Sequence, residues 1–239
     1  MDEQLTRATE QDLPSLLPDV ALFVGCSALV TTVVYLGVPA LSEAGVDSLA
    51  AWMLLAPPLI FVPMLAFGWL ILRAEANREP WIERLRLRRP SAADWRWGWL
   101  GLLGIAVGSA AMFRLCLLLG LDPNPPFARD VQPLLGHRLW MLGLWAIYWP
   151  INILGEELVW RGVSLPRMQA RLSERAWLLN AALWGVFHTA FGPGNLLVLL
   201  PTLVVIPLIA QRRRNNWLAV LMHAGLSGPG FVALALGLA

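Results

Sequence analysis

Seven apolar runs dominate the chain, at about residues 20–41, 49–72, 97–121, 138–158, 176–191, 195–210 and 217–239. Each is long enough, or nearly so, to cross ~30 Å of hydrocarbon at 1.5 Å per residue. The expected fold class is therefore all-α: a polytopic membrane helical bundle of about seven transmembrane helices (six to eight). It forms a single domain over 19–239, behind a cytoplasmic N-terminal segment, 1–18. The runs at 176–191 and 195–210 are short, so one of them is expected to be re-entrant or embedded in protein. Composition agrees: 57% of residues are hydrophobic and 14% charged, at a mean hydropathy of +0.60, whereas soluble domains carry about 25% charge.

All 18 basic residues are arginine, the bias of GC-rich prokaryotic coding. They are unevenly placed. Arg73, Arg78, Arg84, Arg86, Arg88, Arg89 and Arg96 follow the second run, Arg161, Arg167, Arg171 and Arg175 the fourth, and Arg212, Arg213 and Arg214 the sixth. The intervening loops hold almost none. The positive-inside rule then places the arginine loops and the N-terminus in the cytoplasm of a multi-pass protein of the cell (inner) membrane, with the C-terminus outside. The acidic start, without a basic n-region, implies a retained first helix. No basic patch interleaved with aromatics of the nucleic-acid-binding kind is present. Trp81, Ile82 and Leu85 among the arginines of 78–96 suit a surface facing anionic lipid, where a substrate or lipid entrance is a second reading. Cys26 and Cys116 read as small buried hydrophobes.

Charge inside a membrane costs roughly 2.5–3.5 kcal/mol per residue and usually serves function. Here Glu156 and Glu157 close the fourth run, His188 lies in the fifth and His223 in the seventh. On a helix, Asn152, Glu156 and Trp160 share a face, and Glu157 and Arg161 share its neighbour. Arg161 would keep Glu157 ionised and leave Glu156 for proton transfer. Glu156, His188 and His223 can hold a zinc with an open position for water. They can equally hold the water directly, with glutamate as base and histidines toward an oxyanion. Depth is an obstacle: measured from the nearest arginines, Glu156 lies about 7–8 Å in, His223 about 13–14 Å and His188 about 20 Å. A helix capped by Ser173 below the membrane surface is one remedy. Arg114 reads as snorkelling outward, or as a contact for a substrate carboxylate. His137 sits at a loop edge.

These residues resemble the CPBP family, the CAAX-protease and bacteriocin-processing intramembrane endopeptidases. The likeness rests on Glu-Glu-x-x-x-Arg at 156–161, an aromatic four before the histidine at 184–188, and the later histidine at 223. It is specific over about 145–235 and looser upstream, where Leu85 to Ser91 look like a recurrent segment of bacterial members; the catalytic core is expected at about 138–235. The resemblance implies an endopeptidase cutting within or next to the membrane. Glu156 would activate water, His188 and His223 would orient it or ligate metal, and Glu157 and Arg161 would hold the site. The substrate would be a membrane peptide or lipid-modified protein, including the C-terminal anchors that some bacterial branches trim. Two positions depart from the pattern: Trp184 stands for the usual phenylalanine, and Ser227 for the usual asparagine four after the last histidine. Serine carries one hydroxyl, enough for one hydrogen bond toward an oxyanion. The rival readings are a non-catalytic relative acting as an immunity or scaffold protein, favoured by Ser227, and a small transporter.

Overall fold

The computed structural model describes residues 15–75 and 79–238. Most of the N-terminal segment and Arg78 therefore lie outside the described residues. Every regular element described is helical. Helix α1 spans Leu17–Glu43, α2 Ser48–Ala74 and α3 Ala92–Leu118. Helix α4, Trp140–Glu157, continues through a π-helical segment, Leu158–Ser164, into α5, Leu165–Leu172. Then come α6, Ala176–Phe187, α7, Pro193–Arg213, and α8, Asn216–Ala235.

Five of these, α1, α2, α3, α7 and α8, are long and apolar enough to cross a membrane by length and composition. The expectation of about seven exceeds this by the two runs that carry Glu156 and His188. Helix α4 holds Asn152, Glu156 and Glu157, which lower its apolarity. Helix α6 has 12 residues, about 18 Å, so it ends inside the bundle. The chain turns at Thr189–Phe191 and starts α7 at Pro193. The run at 195–210, read as short, is instead part of a helix of 21 residues.

Each π-helical segment sits at or just before a proline. Val33–Gly37 precedes Pro39, Pro57–Phe61 contains Pro57 and Pro58, and Leu158–Ser164 precedes Pro166. Proline lacks an N–H and clashes with the carbonyl four residues back, and a widened turn absorbs both effects. Small residues bring the helices close. A Cβ on Gly68 would stand 3.2 Å from Val159, one on Gly155 3.3 Å from Phe61, and one on Gly228 3.0 Å from Trp149. Such contacts drive helix association where lipid is as apolar as the side chains. The outer face of α3 exposes Leu100, Leu103 and Val107, as a surface against hydrocarbon does.

The arginines gather at one pole. Arg167 pairs with Asp19 and Glu75, Arg84 with Glu75, and both Arg88 and Arg213 with Asp94. Asp94 also completes a capping box with Ser91 at the start of α3. The 85–91 segment docks on the α7–α8 turn: Asn216 N–H donates to Arg86 O at 2.8 Å, and Arg88 donates to Arg213 O at 2.7 Å. Burial, with Arg214 nearby, brings the Arg86 guanidinium down to about 10. At the other pole the 121–135 loop lies on the start of α7 and the end of α8, through Asn195 to Pro123 O and Leu134 N–H to Ala235 O. Arg138 pairs there with Asp47.

Arg161 departs from the loop position expected of it. Its helix does not end near 158 but runs on to Leu172, and Arg161 is 1% exposed. This brings Glu156 and His188 to comparable depths, and His223 meets Glu157 directly. Counted from Leu172, Glu156 lies about 24 Å along its helix, and His188 lies about 18 Å along from Ala176. Ser173 is not an N-cap but the C-cap of α5, its N–H donating to Gln169 O. It takes a left-handed conformation (φ 49°) in a 3-10 turn, and α6 begins behind Arg175 without a side-chain cap.

Candidate active site

Glu156 and Glu157, adjacent in sequence, have different partners. Glu156 Oε1 accepts from Asn152 Nδ2 at 2.8 Å, and Oε2 accepts from Trp184 Nε1 at 2.7 Å. One donor on each oxygen fixes the carboxylate plane and leaves further lone pairs for a third partner. Glu157 Oε1 accepts from His223 Nδ1 at 2.7 Å and from Arg161 at 3.3 Å. The Arg161 guanidinium also lies 3.5 Å over the Trp184 ring, a cation–π contact strengthened by burial. The expected Glu157–Arg161 pair is present, and so is the Asn152–Glu156 face. Trp160 leaves that face, because the π-helical turn shifts the register. It stacks on Phe23 at 3.9 Å instead.

The two histidines are held alike. His188 Nδ1 donates to the Trp184 carbonyl at 2.9 Å, and His223 Nδ1 donates to Glu157. An Nδ1–H so engaged sets the tautomer and leaves Nε2 as the working atom. Trp184 stands between them, with ring centroids 5.5 Å from His188 and 5.7 Å from His223. Glu156, His188 and His223 line one cavity of about 160 Å³. It adjoins a second, of about 410 Å³, which shares both histidines and adds Trp149 and Ser227 to its wall.

Ser227 Oγ donates to His223 O at 2.9 Å and accepts from Trp149 Nε1 at 3.0 Å. Its single proton is directed to the backbone carbonyl of His223. Ser227→Ala is accordingly expected to hold kcat/KM within about tenfold of wild type. It should cost about 1–3 kcal/mol of stability at most, since the part-buried Trp149 N–H loses its acceptor. Cleavage kinetics and thermal unfolding in detergent would measure the two effects.

Three supports escaped the sequence reading. Trp184, noted there only as standing for the usual phenylalanine, donates to the Glu156 carboxylate. Asn180 and Asn216 donate to Trp160 O at 3.0 Å and Glu157 O at 2.9 Å, carbonyls at the π-helical segment. Asn180 within an apolar run and Asn216 at the edge of one were the available signal. Trp184→Phe is expected to destabilise the protein by about 1.5–3 kcal/mol, the size of a hydrogen bond to a charged group. A shift in the unfolding midpoint checks this.

Arg114 and His137 are exposed and line neither cavity. Cys26 and Cys116 are buried free thiols. Among the described residues, no group of three or more His, Cys, Asp or Glu side chains is placed to hold a metal ion. The Glu156 oxygens face Asn152 and Trp184.

No curated protein and no solved structure matches the chain. Residues 138–228 match the family model of type II CAAX prenyl endopeptidases of the Rce1-like kind, a membrane protease family, and this range contains Glu156, Glu157, Arg161, His188, His223 and Ser227. The likeness to this family is confined to residues 138–228, the part of the chain that carries the candidate site.

Proposed function

We propose that the protein is an intramembrane endopeptidase that hydrolyses a peptide bond with water activated by Glu156. The observation that carries this reading is the cavity lined together by Glu156, His188 and His223. Glu156 takes the proton of the attacking water. His188, with its proton on Nδ1, accepts from that water through Nε2 and aims it at the scissile carbonyl. His223, backed by Glu157, donates through Nε2 to the oxyanion when its ring carries both protons. Arg161 holds Glu157, Ser227 holds the His223 turn, and Trp184 and Asn152 hold Glu156. The water oxygen ends in the new carboxylate, and the proton held by Glu156 passes to the leaving amine.

The substrate is a membrane peptide or the lipid-modified end of a protein. The test is cleavage of such a peptide by purified protein in liposomes, with the products weighed by mass spectrometry. Hydrolysis that survives chelator is expected. Activity abolished by chelator and restored by zinc would overturn the glutamate mechanism. Binding without cleavage would favour the immunity or scaffold reading, to which the committed hydroxyl of Ser227 lends some weight.

A further inference from the structure

The candidate cavities and the arginines occupy opposite poles of the bundle. The outer cavity, of about 410 Å³, is walled by Asn124, Pro125 and Phe127 of the 121–135 loop and by Gly230 and Leu234 near the end of α8. Helix directions agree: His188 ends α6 at this pole, and Asn195 lies in the first turn of α7. At the far pole, another cavity of about 540 Å³ is lined by Arg84, Arg86, Arg88, Arg167, Arg213 and Arg214. No arginine lines either candidate cavity. The loop pole holds Arg114 in the last turns of α3, with Arg129 and Arg138, which pair with Asp122 and Asp47. Arginine asymmetry of this kind orients a membrane protein with the rich pole in the cytoplasm.

We infer that the catalytic cavity is reached from the extracytoplasmic side. Its substrate is then an exported or membrane-anchored polypeptide whose scissile bond lies on that side, and not a prenylated tail presented from the cytoplasm. This rests on the endopeptidase reading for its chemistry and on the arginine pole for its direction. The wall adds a preference. It is formed by rings such as Trp52, Phe127, Tyr148 and Phe231, with no Arg, Lys, Asp or Glu side chain. Such a wall fits an uncharged apolar or aromatic segment. It offers no arginine or lysine to a free C-terminal carboxylate, so it favours a stretch of chain over a chain end.

The test uses the full-length protein with one cysteine added at a time, Asp130→Cys in the exposed 121–135 loop or Glu174→Cys in the exposed turn before α6. The two native thiols are buried. A membrane-impermeant maleimide is applied to intact cells and to inverted vesicles. The expected result is labelling of the Asp130→Cys protein from outside the cell and of the Glu174→Cys protein only in inverted vesicles. The reverse pattern, or labelling of both from either side, overturns the inference whatever the activity. In a second arm, a transmembrane reporter peptide carries an uncharged aromatic segment on one side of the membrane. Cleavage is expected only when that segment is on the side of Asp130, and cleavage only from the other side overturns the inference. Loss of cleavage in both arrangements, with the labelling as expected, would remove the endopeptidase reading and leave the orientation standing.

Discussion

Glu156→Gln lowers kcat by about 10²–10⁴-fold, the usual worth of a general base, and leaves KM near wild type. Glutamine keeps the shape of the side chain and removes the proton acceptor. The loss belongs to kcat because the carboxylate is needed only as the water attacks. The substitution has a structural side effect. Both Glu156 oxygens accept a donor, Asn152 Nδ2 on one and Trp184 Nε1 on the other. The amide of glutamine sets an N–H against one of these donors, at a cost of about 1–3 kcal/mol. Unfolding measurements on the same sample keep the two effects apart. A folded variant with kcat within about threefold of wild type would show that Glu156 is not the base.

Arg161→Met has the largest expected effect on stability, a loss of about 3–5 kcal/mol. Arg161 and Glu157 are both fully buried, and removing one member of a buried pair leaves an uncompensated charge. His223 remains as a partner for Glu157, so the loss should stay within that range. The same substitution also removes the cation over the Trp184 ring. The double variant Glu157→Gln with Arg161→Met should recover a large part of the loss, because the orphaned charge goes with it. Denaturant or thermal unfolding in detergent reads both. A single variant as stable as wild type would mean that the pair is not a structural unit of the site.

The all-helical class was legible because apolar runs of span length leave few alternatives. The pairing of Glu157 with Arg161, and the face shared by Asn152 and Glu156, followed from helical spacing of four. What spacing missed traces to three particulars. Arg161 looked like a loop arginine, but Glu157 and Trp184 shelter it inside the bundle and its helix runs on to Leu172. The π-helical turn at Leu158–Ser164 breaks the regular period, so Trp160 leaves the face that Glu156 keeps. Helix α6 stops at Phe187, and this half-span sets His188 at the depth of Glu156. The donor role of Trp184 toward Glu156, and that of Ser227 toward the His223 carbonyl, depend on side-chain directions set by packing between distant segments.

The central claim is that Glu156, His188 and His223 work as one site. The most direct measurement is the cleavage rate of a membrane peptide in liposomes for Glu156→Gln, His188→Ala, His223→Ala and the double variant Glu156→Gln with His223→Ala, each first shown to be folded. Groups that act as a unit lose their effect together. All three single variants should therefore lose cleavage, and the double should cut no more slowly than the worse of its two singles. A single variant that cuts at the wild-type rate, or a double whose loss is the product of the two single losses, would contradict the shared site.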